Sequence, residues 1–164
     1  NIHEILERVR SLILSEFTND INFIRDYDVS LPEFIVDREK LIQAILNIAR
    51  NGAQAMKLNN QKNMQLSFIT RAERQIVFRK KKHATAIRID IIDNGPGIKN
   101  ELIDKIFFPL VTGNEDGSGL GLSLAQNLIS LHQGMIDCHS VPGKTVFSII
   151  LPIENNLMPT KEKK

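Results

Sequence analysis

The chain has 164 residues, 42% apolar and 24% charged, with a net charge of +2. That is enough for one domain with a sizeable core, and it excludes a bulk electrostatic case for nucleic acid or a membrane surface. The lone cysteine, Cys138, excludes an internal disulfide, no spacing suits zinc, and no apolar run approaches the ~20 residues of a membrane helix. A reducing, cytoplasmic setting is expected, and the opening on Asn1 rather than Met reads as an excised fragment.

Taken in chain order, Ile2, Ile5, Leu6, Val9, Leu12, Ile13 and Phe17 recur at helical spacing. They predict an amphipathic helix over 1–17 that continues from, or packs on, a preceding domain. Ile21, Phe23 and Tyr27 alternate in part, which predicts a strand ended by Leu31-Pro32. Asp37 is placed to N-cap a long helix running to about Met56. Strands are expected over 64–70 and 73–79, joined by a tight connection near Arg71-Ala72. The basic run 79–83 then forms a solvated hairpin tip or strand end before a third strand, 85–92. Next come Asp93-Asn94-Gly95-Pro96-Gly97, a short helical pattern over 100–107, and a polar glycine-rich stretch over 112–118. A second long helix follows over 120–133 with Gly134 as its C′ residue. Strands 135–140 and 145–151 close the domain, and 154–164 is expected to be a disordered tail. Helices and strands mixed without repeats predict an α+β domain, a two-layer α/β sandwich.

Three segments carry chemistry. On the helix over 37–56, Lys40, Gln43, Asn47, Arg50, Asn51 and Gln54 recur at three- and four-residue steps opposite an apolar stripe. A merely solvated face favours Glu and Lys, whereas this one is rich in amides that form helix poorly. An Asn oxygen is a hard, neutral ligand suited to a Mg²⁺ already carrying triphosphate oxygens. Asp93 ends a strand of alternating Ile residues, where its carboxylate can accept from an exocyclic amine such as N6 of adenine. Gly95 and Gly97 allow backbone close to a flat ligand. Gly117-Ser118-Gly119-Leu120-Gly121-Leu122 enters a helix directly, and small residues there free backbone N–H groups for phosphate. Its G-x-G-x-G spacing after a loop is not the dinucleotide fingerprint. Gly143-Lys144-Thr145 is not a Walker A loop either, since Cys138 stands at the upstream glycine position and a strand follows.

The order of Asn47 to Asn51, Asp93 to Gly97, Phe107 to Leu110, Gly117 to Gly121 and Gly143 to Thr145 resembles the N box, first glycine box, F box, second glycine box and final glycine-Thr box of histidine-kinase catalytic domains in the GHKL ATPase superfamily. The resemblance covers roughly residues 30–152. At finer grain, Glu7-Arg8-Val9, Ile24-Arg25-Asp26-Tyr27-Asp28, Asn51-Gly52-Ala53-Gln54-Ala55 and Phe107-Phe108-Pro109-Leu110-Val111 look like the nitrogen-regulation sensor kinases of the NtrB type.

The resemblance implies a mixed, mainly antiparallel sheet backed by three helices, with ATP and Mg²⁺ as cofactors. By position it implies that Asn51 holds Mg²⁺, with Asn47, Arg50 and Gln54 lining the phosphate side and Asn47 and Asn51 the catalytic pair. It implies that Asp93 takes the adenine amine, that Gly95, Gly97 and Ile98 shape the wall, and that Thr145 supports Asp93. Residues 98–118 would form a lid anchored by Phe107 and Phe108, and Gly117, Ser118, Gly119, Leu120, Gly121 and Leu122 would contact phosphates. The implied domain spans 21–153, with 1–20 following an absent dimerisation and phosphoacceptor domain.

Departures from the family pattern are Gly52 in place of the usual Ala, costing about 1 kcal/mol of helix propensity, Leu110 in place of Phe, and Met135 in place of a Lys. His3, followed by Glu4, lacks the expected Pro and lies too close to Asn47 for a helical hairpin between them. His3, His83, His132 and His139 are therefore not expected to accept phosphate, His132 being a helix surface or capping residue.

The expected function is transfer of the ATP γ-phosphoryl to a His on a separate domain of the same kinase dimer, then to an NtrC-type response regulator, under a PII-type signal protein. The fragment itself is expected to be monomeric, without membrane or nucleic-acid contact. Asn rather than Glu at 47 favours transfer over hydrolysis. The alternatives are another GHKL ATPase or a non-catalytic nucleotide-binding module.

Overall fold

The computed structural model describes residues 1–17, 20–112 and 117–153. Helix α1 (Ile2–Glu16) starts where the Asn1 side chain accepts from the His3 N–H at 2.9 Å. Its stripe of Ile2, Ile5, Leu6, Val9 and Ile13 is buried in the same apolar core as the sheet. After β1 (Ile21–Asp26), Asp37 caps α2 (Arg38–Leu58) by accepting from the Lys40 N–H at 3.1 Å, as its position predicts. Helix α2 is the spine of the helical layer. It buries Leu41, Ile45, Ile48, Ala49, Gly52 and Met56, and lies between α1 and the later helix Gly121–Leu131.

The long strands β2 (Met64–Phe78) and β3 (Lys81–Asp93) form an antiparallel hairpin. Two strands with a connection at Arg71-Ala72 are expected there, but those residues pair with Arg88 and Ile87 inside a run of consecutive pairs from Leu66 and Asp93 to Arg74 and Thr85. No Gly, Pro or Asn stands at 71–72 to reverse the chain. It turns instead at Arg79-Lys80, both at positive φ (51° and 60°), as a two-residue hairpin loop of matched twist requires. The basic run is therefore the hairpin tip and the start of β3.

Helix α3 covers only Asn100–Ile103, shorter than the pattern suggests. Beyond it the chain tightens into i→i+3 turns, with Lys105 N–H on Leu102 O and Phe108 N–H on Lys105 O.

Helix α4 (Gly121–Leu131) ends in a Schellman motif whose left-handed residue is Gln133 (φ 57°), not Gly134. The Gln133 and Gly134 N–H groups donate to Ser130 O and Ile129 O, each at 3.0 Å. Gly134 is required one step later for a different reason: a Cβ there would lie 2.7 Å from Ile150 O. His132 is the cap. Its Nδ1 lies 2.8 Å from Leu128 O, and its Nε2 accepts from the Asp37 N–H at 3.2 Å, tying the end of α4 to the start of α2.

Strands β4 (Met135–Val141) and β5 (Lys144–Pro152) complete a sheet of order β1-β2-β3-β5-β4. Only β1 and β2 run parallel; the other pairs are antiparallel. This is the expected α+β sandwich: a mixed, mainly antiparallel sheet under three long helices. Phe68 and Phe147 are its largest fully buried side chains. The expected tail, 154–164, lies outside the described residues, as do 113–116 of the expected lid.

Candidate functional site

The end of β3 delivers Asp93 to the helical layer. Its backbone lies in register with Leu66 of β2 on one side and Thr145 of β5 on the other, and only 7% of its surface is exposed. Oδ1 accepts from the Gly95 N–H at 2.9 Å. Burial pushes the carboxyl above the usual carboxylate range, and the Gly95 N–H offsets this only in part. A carboxylate held this far from water is an acceptor in search of a donor.

The turn after Asp93 is fixed from three directions. The Asn94 side-chain oxygen accepts from Gln61 Nε2 and from the Gln65 N–H, each at 2.8 Å, while its Nδ2 donates to Asn63 O. The Gly143 N–H donates to Gly95 O at 2.9 Å, bringing in the β4–β5 turn. Gly97 takes φ +84° with its Cα facing Val141 O, where a Cβ would lie 2.9 Å from that oxygen. Thr145 is buried beside Asp93, but its hydroxyl pairs with Ser140 Oγ at 2.7 Å, and the Ile98 N–H donates to the same Ser140 Oγ at 2.9 Å. Ser140 thus joins Thr145 to Ile98.

On α2, Asn47 and Asn51 are half-buried one turn apart and Gln54 is exposed. The second glycine segment reaches Asn47, since a Cβ built on Gly121 would lie 4.0 Å from Asn47 Cβ. Arg50 is not grouped with them. Its Nε donates to both Glu16 carboxylate oxygens, at 3.0 and 2.9 Å, on the side facing α1. The N-terminus of α4 carries no side-chain cap and no acidic residue in its first turn, so no acid of its own helix offsets the partial positive charge there.

The two ends of the segment between these elements are joined. The Leu110 N–H donates to Gly119 O at 2.9 Å. Gly119 sits at φ +66°, with Leu110 C and Cα only 2.7 and 2.8 Å from where a Cβ would be. Leu110 is itself left-handed, at φ 65°. Phe107 stands edge-on to Phe147 at 6.2 Å, anchoring one end in the core, whereas Phe108 is 58% exposed. Ser118 Oγ accepts from the Leu120 N–H at 3.3 Å. Gly117 and Leu122 flank this stretch, exposed and half-buried respectively.

Among the described residues no cluster of three His, Cys, Asp or Glu could hold a metal by itself. The amide face of α2 can supply only one or two neutral oxygens, which suits a cation that brings phosphate oxygens with it. A concavity of about 660 Å³ lined by 32–37, 131–133 and 151–153 lies at the N-terminal end of α2. Asn51 is about 20 Å further along the helix at 1.5 Å per residue. A smaller one, about 260 Å³, borders Asp93, Asn94 and Gly143. His3 is committed elsewhere: Nε2 lies 3.0 Å from Thr70 Oγ1 and its ring stacks on Tyr27.

Sequence reasoning overlooked Ser140, Gln61 and Asn94. Asn94 and Ser140 stand beside glycine segments in the sequence, whereas Gln61, just past the end of α2, meets Asn94 only in the folded chain.

Comparison with known proteins gives a match of residues 36–155 to the model of the histidine kinase-, DNA gyrase B- and HSP90-like ATPase family. Over 153 residues the chain is 48% identical to a sensory histidine kinase/phosphatase NtrB of Vibrio alginolyticus, covering 93% of this chain and 43% of that protein. It is 44% identical over the same length to the NtrB of Salmonella typhimurium, with the same coverage. The chain therefore spans less than half the length of these curated relatives. Among solved structures, the mycobacterial sensor histidine kinase MprB superposes with a TM-score of 0.75 at 21% identity, covering 93% of this chain and 96% of that one. No helix among the described residues is long and apolar enough to cross a membrane.

Proposed function

The chain belongs to the histidine kinase-, DNA gyrase B- and HSP90-like ATPase family, and from that premise we propose that it is the ATP-binding catalytic domain of a sensor histidine kinase of the nitrogen-regulation type. The observation that carries this reading is the convergence of a buried, single-bonded Asp93 carboxylate, the amide face of α2 and the uncapped N-terminus of α4.

In this reading Asp93 accepts from the adenine amine, and Gly95, Gly97 and Ile98 give the base a flat wall. Ser140 and Thr145 hold that wall in place. Gly117, Ser118, Gly119, Leu120, Gly121 and Leu122 present backbone N–H groups to the phosphates. Asn51 offers its amide oxygen to Mg²⁺ with Asn47 beside it; the ion, when bound, neutralises charge on the phosphates. Gln54 lies one turn on, at the outer edge. Arg50 reaches the phosphates only by leaving Glu16. The described parts of the expected lid, 98–112 and 117–118, cover the nucleotide.

Nothing at position 47 can deprotonate water, so the domain aims the γ-phosphoryl at a protein nucleophile. That nucleophile is a His on another domain of the kinase dimer, which then hands the group to an NtrC-type response regulator, with a PII-type protein as controller. The setting is cytoplasmic. Incubation with γ-labelled ATP and a separately supplied phosphoacceptor domain is expected to label that domain alone. Label on His3 of this chain, or release of free phosphate without any labelled protein, would overturn the reading.

A further inference from the structure

The ends of β3, β5 and β4 place three polar side chains in one row. Asp93 pairs with Leu66 on one side and Thr145 on the other, and Thr145 pairs in turn with Ser140. Side chains alternate between the two faces of a sheet, so directly paired residues share a face. The row therefore lies on the face that buries Leu66 in the core, and Thr145 is only 4% exposed. Ser140 stands at its outer end, on the edge strand.

The Ser140 hydroxyl has one proton and two lone pairs. The Ile98 N–H, which can only donate, takes one lone pair at 2.9 Å. Thr145 Oγ1 lies 2.7 Å away, at a distance where either hydroxyl can donate. If Ser140 donates, the Thr145 proton is left for the interior of the row. If Thr145 donates, its proton points away, toward the edge. The buried Asp93 carboxylate decides between them. Cross-strand neighbours stand about 5 Å apart, so its negative charge draws the Thr145 proton to its own side and leaves Ser140 to donate. The bonds then run in one direction, from the Ile98 N–H to Ser140 to Thr145, each polarising the next.

Resting on the assignment of Asp93 to the base amine, we propose that Ser140 is a positioning residue for base recognition. Beyond holding the wall, its hydroxyl turns the Thr145 proton toward the base, at the ring nitrogen next to the 6-amino group. Asp93 then accepts and Thr145 donates side by side. Without the Ser140 hydroxyl the Thr145 proton has no fixed direction.

The test is calorimetric binding of ATP and of 1-deaza-ATP, which keeps the 6-amino group but carries C–H in place of N1. Wild type is expected to prefer ATP. Ser140→Ala is expected to cut that preference about fivefold, the scale of one neutral hydrogen bond, while 1-deaza-ATP binding stays within about twofold. Ser140→Cys, similar in shape but a weak donor, is expected to do the same, so either variant that folds decides. Thr145→Val should abolish the preference, and adding Ser140→Ala to it should remove nothing more. No preference in wild type, a preference that survives Thr145→Val, or Ser140 variants that weaken both nucleotides equally or neither would overturn the proposal and leave the ATP reading standing. Failure of Asp93→Asn to weaken ATP overturns the base assignment, and the Ser140 proposal with it.

Discussion

Thr70 tests how firmly α1 is built into this domain. It is fully buried in β2, where its Oγ1 accepts from the Asp28 N–H at 2.9 Å and lies 3.0 Å from His3 Nε2. One hydroxyl therefore joins the first turn of α1, the end of β1 and the sheet. Thr70→Val keeps shape and strand propensity but removes both partners. The part-buried Asp28 N–H, left without an acceptor, costs about 1–3 kcal/mol. His3 loses a weaker, half-exposed bond, and the extra methyl recovers a little apolar burial, so the net loss is about 2 kcal/mol. For a domain of this length that is a fall in Tm of about 4–8 °C, and with a urea m-value of about 2 kcal/mol/M a shift in midpoint of about 1 M. Equilibrium urea unfolding followed by circular dichroism is the assay, with His3→Ala and the double variant closing a cycle. A loss below about 0.5 kcal/mol, or additive effects of the two substitutions, would refute the three-way junction.

Other outcomes follow from the titrating groups. Asp93 is raised by burial, so the native state takes up a proton in a window above the ordinary carboxylate value in which the unfolded chain does not. Stability relative to Asp93→Asn should therefore rise as pH falls through that window, while ATP affinity falls; the opposite slope in thermal melts would contradict the buried placement. Asp93→Asn itself should melt higher than wild type near pH 7 and bind ATP more weakly, a trade between stability and function visible in paired melting and binding curves. Burial pushes the Cys138 thiol up to about 12, so the native domain should resist iodoacetamide at pH 8 and react once unfolded in urea. Fast native alkylation would mean that β4 is not packed as described.

Periodicity and capping made the helices legible. Asp37 announced α2, and the amide stripe on that helix set Asn47 and Asn51 apart before any geometry was known. The sequence suggests a turn at Arg71-Ala72 because it marks neither point strongly. The hairpin's true tip, Arg79-Lys80, uses two long basic residues at positive φ rather than Asn-Gly. Gly134 reads as a helix terminator and its N–H does help close α4, but the lack of a side chain there is required by Ile150 O across the layer, a contact that no local pattern encodes. Arg50 shared the helical face of the two asparagines, but the deciding partner, Glu16, lies on another element. Gly52 packs against Asp93 across the layer, a contact that its own helix does not announce.

Asn51, Asp93 and the glycine segment that opens α4 are held to form one pocket for ATP and Mg²⁺. Titration of ATP into wild type and Asn51→Ala, each with and without Mg²⁺, tests this most directly. Mg²⁺ is expected to strengthen binding to wild type, and Asn51→Ala to remove that increment while the Mg²⁺-free affinity stays the same within about twofold. An Asn51→Ala variant that keeps the full Mg²⁺-dependent increment would contradict the shared pocket.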